Sequence, residues 1–385
     1  MAPIKVGIIG FGFSTNCFQL PFILPNKDLL VYAFLQRAPP SAAATQRFGH
    51  CTEKFPQAKH YQTAAAFFGD PDIELVVVAA FDHVALATQA LEAGKHVVVE
   101  KPVSATSAEA DALIALARAQ GKLLSVFQNR RLDSDFRTVQ HLVAAGAVGD
   151  VTEAEIHFDP PPGFKADVVD RHYGDGPYTP GRGSVFDLGT HTIDQALVLF
   201  GTPAYVTAFF RSVRAGGGGV HDTFSLVLEY DGTSENEART NLVVTVKTNV
   251  ASVLKDQLRF VVKGTDGTFI KYGTCPQEDR ALARPGVAAD DPAYGVEDQR
   301  IWGQLTTKTP FDAAVQTRDA ATGYYVGAFP SLPGHYRGYY ENIVDAIRGT
   351  APLAVDPQTS RDGIRLIELA RQSHETRASV KWTDA

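Results

Sequence analysis

One stretch near the N-terminus decides the fold: residues 4–15 read IKVGIIGFGFST. Its first part, Ile4–Ile9, is a short apolar run with β-branched residues, as in a strand that is buried on both faces of a parallel sheet. Gly10 and Gly12 follow this strand and precede a helical segment. The first glycine permits a tight turn, and the second lets the backbone approach a pyrophosphate. The stretch therefore predicts a dinucleotide-binding loop that also includes Phe13 and Ser14.

The remainder of residues 1–128 alternates between strands and helices. Strands are predicted at Leu29–Leu35, Leu75–Ala80, His96–Glu100 and Leu123–Gln128, with helices between them at Ala85–Ala93 and Ser107–Gln120. This alternation predicts a Rossmann-type domain with a doubly wound parallel sheet. The third glycine of the usual loop motif lets the helix pack closely on the strand, and Thr15 stands in its place. We therefore expect a slightly wider helix–strand separation.

The end of the second predicted strand bears on the choice of cofactor. NAD sites usually have an Asp or Glu there, which accepts hydrogen bonds from the ribose hydroxyls. This chain has Gln36 and Arg37 instead, with no acid nearby. Because a guanidinium pairs well with a 2′-phosphate, the pattern favours NADP over NAD. The alternative is that Arg37 is an ordinary solvated surface residue.

Composition excludes several classes of protein. A chain of 385 residues is longer than one hydrophobic core usually organises, so we expect two domains. The formal net charge of -7 argues against a nucleic-acid or anionic-membrane partner. No segment reaches the roughly 18 apolar residues of a membrane span, and the N-terminal apolar run is too short for a signal peptide. Cys17, Cys51 and Cys275 lack metal-ligand spacing, so we expect no metal and a reduced, cytoplasmic setting.

Three further blocks are more specific. They are EAGKHVVVEKP at residues 92–102, LSVFQNRR at residues 124–131 and GSVFDLGTHTIDQ at residues 183–195. With these blocks in this order, nearly the whole chain resembles the glucose-fructose oxidoreductase / inositol dehydrogenase / rhizopine catabolism (Gfo/Idh/MocA) family. Residues 270–273 (IKYG) and the pair Gln277-Glu278 resemble the branch that contains NADP-dependent scyllo-inositol dehydrogenases.

The resemblance implies three catalytic residues. The family's Glu-Lys-Pro lysine maps to Lys101, with Glu100 beside it in the cofactor site, and the Asp-x-Gly-x-His block maps to Asp187 and His191. These two residues are four apart, so in a helix they share one face. Taken singly, a lysine before proline is usually a surface residue, and a helical histidine is usually packed or solvated. The family's Thr-Pro-Asn-x-x-His run lacks its asparagine here, but His83 fits its last position, and we expect it at the cofactor.

From Val151 onward, the pattern changes to longer, alternating strands. They are predicted at Val151–Phe158, Pro203–Arg211, Thr223–Tyr230, Asn241–Val250, Leu258–Lys263 and Thr268–Tyr272. They predict a C-terminal α+β domain over residues 129–385 with a large, mostly antiparallel open sheet. The resemblance implies the same, with the open face used in a homodimer or homotetramer. Pro160–Pro180 reads as a loop at the substrate pocket, and Asn129, Arg130 and Tyr173 are weaker candidates for substrate contacts.

These residues predict hydride transfer between NADP and a secondary alcohol of a cyclic polyol or sugar. His191 is the candidate general base because an imidazole titrates near neutral pH. Lys101 would stabilise the developing negative charge on the reacting oxygen, and Asp187 would orient the substrate or the other two groups. One alternative is a non-catalytic dinucleotide-binding regulator of transcription, which typically loses the lysine or the histidine. Another is an aldose 1-dehydrogenase or an anhydro-ketose reductase.

Overall fold

A computed structural model describes residues 1–40, 47–160, 178–213, 220–232, 240–283 and 287–384. The chain divides into two compact units. The first comprises Met1–Asn129, Gln277–Tyr294 and His335–Arg361, and the second comprises Arg130–Pro276, Gly295–Gly334 and Asp362–Ala385. The first unit thus contains the segment predicted as the nucleotide-binding domain together with two later segments.

Sixteen strands are present among the described residues. They are β1 (Ile4–Ile9), β2 (Leu29–Leu35), β3 (Lys59–Tyr61), β4 (Leu75–Val78), β5 (His96–Val99), β6 (Leu124–Val126), β7 (Val151–His157), β8 (Tyr205–Arg211), β9 (Thr223–Asp231), β10 (Thr240–Thr248), β11 (Leu258–Gly264), β12 (Gly267–Tyr272), β13 (Gly303–Thr307), β14 (Thr317–Arg318), β15 (Tyr325–Phe329) and β16 (Val380–Lys381).

The helices lie between and after these strands. They are α1 (Leu20–Ile23), α2 (Cys51–Lys54), α3 (Ala64–Phe68), α4 (His83–Glu92), α5 (Ser107–Ala119), α6 (Ser134–Ala144), α7 (Thr190–Phe200), α8 (Gln277–Leu282), α9 (Arg337–Arg348) and α10 (Pro357–Thr376). Two π-helical turns, Thr15–Gln19 and Val185–Gly189, directly precede α1 and α7. No helix in the described part of the chain is both long and apolar enough to cross a membrane.

The first unit is built on a six-stranded sheet with the order β3-β2-β1-β4-β5-β6. All of its strand pairs are parallel, which confirms the predicted Rossmann fold. The strand β3 was not predicted from the sequence. Every side chain of β4 is fully buried, as expected for a strand covered on both faces. Because the strands are parallel, the loops that follow their carboxyl ends all emerge at one edge of the sheet.

The predicted strands of this sheet run a little too far at their carboxyl ends. The structure ends β4 at Val78, β5 at Val99 and β6 at Val126. The residues beyond these points, including Glu100, belong to the loops at the sheet edge. The apolar pattern does not show where β4 ends, because Ala79 and Ala80, which follow the strand, are apolar as well.

The second unit is built on a ten-stranded sheet with the order β14-β15-β13-β12-β11-β7-β10-β9-β8-β16. The pair β7–β10 is parallel and the other neighbours are antiparallel, so the prediction of a large, mostly antiparallel sheet is confirmed. Helix α7 packs on β7 and β10. The other face exposes Phe209, Val243 and Tyr272, and its predicted use in oligomer contacts stays a prediction.

Candidate functional site

The glycine loop after β1 has the geometry that the sequence predicts. Gly10 has a φ of +91°, a left-handed conformation that L side chains rarely adopt, and a Cβ there would lie 3.2 Å from the carbonyl oxygen of Ala79. A Cβ built on Gly12 would meet no protein atom within 4 Å. Gly10 therefore makes the turn, and Gly12 leaves the space that a pyrophosphate needs to approach the backbone.

The first π-helical turn holds the carbonyl oxygens of this loop. The Thr15 hydroxyl donates to the oxygen of Gly10 at 3.0 Å, and the Asn16 side-chain amide donates to the oxygens of Phe11 and Gly12 at 3.1 and 2.9 Å. Thr15, which replaces the third glycine of the motif, is completely buried. Its hydroxyl thus ties the helical run to the loop, a role that glycine could not fill. The expected wider helix–strand separation stays a prediction.

Glu100 connects the loop after β5 to the glycine loop. Its Oε1 accepts from the Ser14 hydroxyl and from the Gln19 side-chain amide, the latter at 2.6 Å, and its Oε2 accepts from the N–H of Lys101 at 3.2 Å. The Tyr340 hydroxyl donates in turn to Oε1 of Gln19, and burial raises the pKa of Tyr340 well above its ordinary value. Ser14 and Glu100, both predicted at the cofactor, are therefore bonded to each other. Gln19 and Tyr340 were not predicted.

His83 supports the segment that carries Lys101. Its Nδ1 donates to the carbonyl oxygen of Pro102 at 2.7 Å, and the Lys101–Pro102 peptide is cis. Burial lowers the pKa of His83, so the neutral ring with its proton on Nδ1 is favoured. The first residue of α4 is thereby hydrogen-bonded to the loop after β5, next to the candidate catalytic lysine. A cofactor contact of His83 stays a prediction.

A cavity of about 440 Å³ lies beside the glycine loop, within the usual range for ligand sites. It is lined by Phe11, Gly12, Phe13, Gln36, Ala38, Arg47 and Phe48. Gln36 and Ala38 flank the exposed Arg37 at the end of β2, so the cavity extends from the phosphate loop to the position that discriminates NAD from NADP. Among the described residues, the lining contains no carboxylate and includes one guanidinium. These residues fit the adenosine half of a dinucleotide.

One group of potential metal ligands is found in the described residues, beside this cavity. The ligand atoms of His50, Cys51 and His60 lie within 4.8 Å of one another. Both histidines are engaged by the turn around Arg37, since Nε2 of His50 donates to the oxygen of Ala38 and Nε2 of His60 to that of Gln36, each at 3.0 Å. Burial raises the pKa of the Cys51 thiol to about 11. The two histidines therefore act as hydrogen-bond donors that fix this turn.

In the second unit, Asp187 and His191 lie in one uninterrupted helical run. Asp187 is in the second π-helical turn and half-buried, and His191 is buried in the first turn of α7. A Cβ on Gly189 would lie 3.0 Å from Cζ of Phe224 in β9 and 3.1 Å from Cγ2 of Val185. The glycine between the two candidate residues is thus required by close packing. The predicted helical placement of Asp187 and His191 is what the structure shows.

Three predicted substrate contacts remain: Asn129, Arg130 and Tyr173. Arg130 is buried, pairs with Asp133 at 3.3 Å and lies over the Phe158 ring at 4.2 Å, so its guanidinium has structural partners. Asn129 is also buried, and Tyr173 lies outside the described residues. Their substrate contacts stay predictions.

Sequence reasoning missed Arg131. It forms a two-pronged ion pair with Asp194 of α7 at 2.7 and 2.6 Å, and the Gln195 side-chain amide donates to the oxygen of Arg130 at 3.2 Å. These bonds hold the helical run of Asp187 and His191 in place. The available signals were that Arg131 ends the block at residues 124–131 and that Asp194 and Gln195 end the block that contains His191.

Comparison with known proteins agrees with this architecture. Residues 4–128 match an oxidoreductase family with an NAD-binding Rossmann fold, and residues 136–270 match the GFO/IDH/MocA C-terminal domain. The oxidoreductase YdgJ of Escherichia coli is 33% identical over 381 residues, which cover 98% of this chain and 98% of YdgJ. The scyllo-inositol 2-dehydrogenase (NADP(+)) IolW of Bacillus subtilis is 32% identical over 380 residues, which cover 98% of this chain and 95% of IolW.

A solved structure supports the same assignment. That of the oxidoreductase yvaA from Bacillus subtilis superposes with a TM-score of 0.84 at 30% identity and covers 99% of each chain. A Rossmann unit with a phosphate loop and a second unit with a large antiparallel sheet define a dinucleotide-dependent oxidoreductase. The chain belongs to the Gfo/Idh/MocA family of oxidoreductases.

Proposed function

We propose that the protein is an NADP-dependent dehydrogenase or reductase that acts on a secondary alcohol of a cyclic polyol or sugar. The observation that carries the proposal is the anchoring of Lys101 at the carboxyl end of β5. Its backbone N–H is bonded to Glu100, and Glu100 accepts from Ser14 and Gln19 next to the glycine loop. The lysine is thus fixed to the phosphate-binding element. The similarity to IolW, an NADP-dependent scyllo-inositol 2-dehydrogenase, supports the substrate class.

The chain's own residues would move the proton and stabilise charge. When bound, the nicotinamide supplies the two-electron acceptor for the hydrogen on the carbinol carbon. His191 would take the hydroxyl proton, and Lys101 would donate a hydrogen bond to the oxygen as negative charge develops on it. Asp187 would orient the substrate hydroxyl or the two other groups. In the reverse direction the same groups return the proton to the carbonyl oxygen.

The preference for NADP rests on the turn after β2. Arg37 is exposed there, and the buried Gln36 occupies the place where NAD sites usually carry an acid. Oε1 of Gln36 accepts from the N–H of Cys51 at 2.9 Å, so this oxygen already has a hydrogen-bond partner within the protein. A 2′-phosphate would therefore meet positive charge without a competing carboxylate.

The test is steady-state turnover with NADP on a panel of inositols, aldoses and anhydro-sugars, in both directions. Lys101→Ala and His191→Ala should each lower kcat/KM at least tenfold, about 1.4 kcal/mol of barrier, because each group acts on the reacting oxygen or its proton. Lys27→Ala and His335→Ala, on the exposed surface, are the matched controls. A smaller loss in either test variant would refute the assigned role. NADP binding without turnover on any substrate would favour a regulator.

A further inference from the structure

A second arginine lies beside the cofactor cavity, ten residues after Arg37. Arg47 lines this cavity together with Gln36 and Ala38, the two neighbours of Arg37. Its guanidinium carbon lies 5.7 Å from the ring centre of Phe13 and 5.1 Å from that of Phe48. Both rings also line the cavity. Arg47 is thus an exposed side chain whose cation lies near two aromatic rings at the wall of the site.

The charge around Arg47 favours an anion. No carboxylate pairs with it in the part of the chain that the structure describes. Lys54 adds a second cation, since its ammonium lies 5.8 Å from the ring centre of Phe48 and donates to the side-chain oxygen of Asn16 at 3.1 Å. Asn16 in turn holds the glycine loop. Arg47 in the cavity wall and Lys54 next to the glycine loop therefore place two cations on this side of the first unit.

The turns that carry the two arginines are joined by histidines. His50, three residues after Arg47, donates to the oxygen of Ala38, and His60 donates to that of Gln36. The two rings meet edge to face, with centroids 4.7 Å apart. Peptide groups on both sides of Arg37 are thereby fixed relative to the segment after Arg47. A pre-positioned guanidinium loses less conformational entropy when it binds a phosphate.

We propose that Arg47 is a specificity-determining residue that binds the 2′-phosphate of NADP together with Arg37. This inference rests on the proposed NADP dependence and names a residue for it. A guanidinium offers two parallel N–H donors to a phosphate, and the rings of Phe13 and Phe48 lie beside that of Arg47 at the cavity wall. An adenosine ligand without the 2′-phosphate makes no use of this charge. Arg47 therefore separates NADP from NAD without contributing equally to both.

The test compares the binding of 2′,5′-ADP and 5′-AMP to the full chain by isothermal titration calorimetry. Arg47→Ala should weaken the binding of 2′,5′-ADP at least tenfold, about 1.4 kcal/mol, and the binding of 5′-AMP less than twofold. The affinity of Arg47→Lys for 2′,5′-ADP should lie between those of the wild type and Arg47→Ala, because lysine keeps the charge and loses the two-pronged geometry. Arg118→Ala, an exposed arginine of α5, is the matched control and should leave both ligands unchanged.

Either of two results overturns the inference: Arg47→Ala weakens both ligands equally, or it weakens neither. These ligands lack the nicotinamide, so the outcome is independent of the reaction. If no substrate is turned over and Arg47→Ala still removes the 2′-phosphate preference, the proposed reaction fails and the inference stands. If turnover occurs with an NADP/NAD ratio that Arg47→Ala leaves unchanged, the inference alone fails. A wild-type protein that binds 2′,5′-ADP no tighter than 5′-AMP overturns both the NADP preference and the inference.

Discussion

Two segments, one in each unit, enter a helical run through a single π-helical turn. The first is Thr15–Gln19, after the glycine loop, and the second is Val185–Gly189, which contains Asp187. Both follow a glycine with positive φ, at +91° for Gly10 and +99° for Gly183. Single π-helical turns are frequent at functional sites. Each segment also has a second glycine, Gly12 shortly before the first and Gly189 at the end of the second, and these two glycines serve different physical purposes.

The difference lies in what surrounds each glycine. A Cβ on Gly12 would enter open space, whereas a Cβ on Gly189 would press on Phe224 and Val185. Hydroxyl groups donate to backbone oxygens around both segments, but the later glycine packs against β9 in the second segment and faces open space in the first. A glycine in a site motif can thus leave room for a ligand in one place and permit close core packing in another. Sequence alone does not separate these two uses.

The largest expected effect comes from adding the same side chain at both glycines. Gly189→Val should lower the free energy of unfolding by about 2–3 kcal/mol, because overpacking forces Phe224 or the helix to move. Gly12→Val should change it by less than about 0.5 kcal/mol, since the added atoms face open space. The same variant should weaken NADPH binding at least tenfold, about 1.4 kcal/mol, because the added side chain occupies the space where the pyrophosphate would approach the backbone. Urea unfolding and fluorescence titration measure the two quantities.

Each variant of this pair is the control for the other. If Gly12→Val lost as much stability as Gly189→Val, the space beside Gly12 would belong to the protein core. If Gly12→Val bound NADPH normally, the glycine loop would not be the pyrophosphate site.

A smaller effect is expected at the hydrogen-bond chain behind the first segment. Tyr340→Phe removes the donor to Oε1 of Gln19 and leaves that buried atom without it, at a cost of about 1–2 kcal/mol in unfolding free energy. Because Gln19 also donates to Glu100, the glycine loop should loosen and NADPH should bind about threefold more weakly. Urea unfolding and NADPH titration check both effects.

Tyr339→Phe is the matched control for this variant. The Tyr339 hydroxyl donates to Ser125 at 2.9 Å, and Ser125 donates onward to the oxygen of Val355 at 3.0 Å. This chain of hydrogen bonds does not include the glycine loop. The control should lose similar stability and keep its NADPH affinity. Equal loss of affinity in both variants would show that Glu100 does not transmit the effect.

The sequence predicts the first unit well because its signals are local. The continuous apolar run of β4 and the Gly10–Gly12 turn each report their own environment. The same holds for Asp187 and His191, whose spacing indicates a shared helical run. The strands β13 to β16 were missed. β14 and β16 have only two residues each and lie at the two edges of the sheet, so no alternation marks them.

The supports of the candidate site could not be predicted for a different reason. Tyr340 and Gln19 are 321 positions apart, and Arg131 and Asp194 are 63 apart. Such pairs exist only after the chain has folded, and a single sequence carries no record of them. Arg47 was missed because only Phe48 is its neighbour in sequence, whereas Phe13 and the cavity lie beside it only in three dimensions.

The smallest expected effect concerns Ser184, which directly precedes the second segment, and its partner His221. The backbone N–H and hydroxyl of Ser184 donate to the carbonyl oxygen of His221 at 3.1 and 3.3 Å. Burial, and then the positive charges of Arg371 and His374, lower the pKa of the His221 ring, whose Nδ1 accepts from Arg371 at 3.3 Å. As the pH falls through about 6.5, the unfolded chain therefore binds a proton before the folded one does, and stability decreases.

The test of this effect is the change in urea midpoint between pH 7.5 and pH 5.5. Asn at position 221 offers an acceptor to Arg371 without titrating, so His221→Asn should lose less stability on acidification than the wild type. His374 has its own lowered pKa, from burial and then from Arg377 and Arg371, so part of the pH dependence should persist in the variant. If the pH dependence of His221→Asn equalled that of the wild type, the ring of His221 would not be coupled to the stability of the second segment. The two π-helical segments would then differ in packing alone.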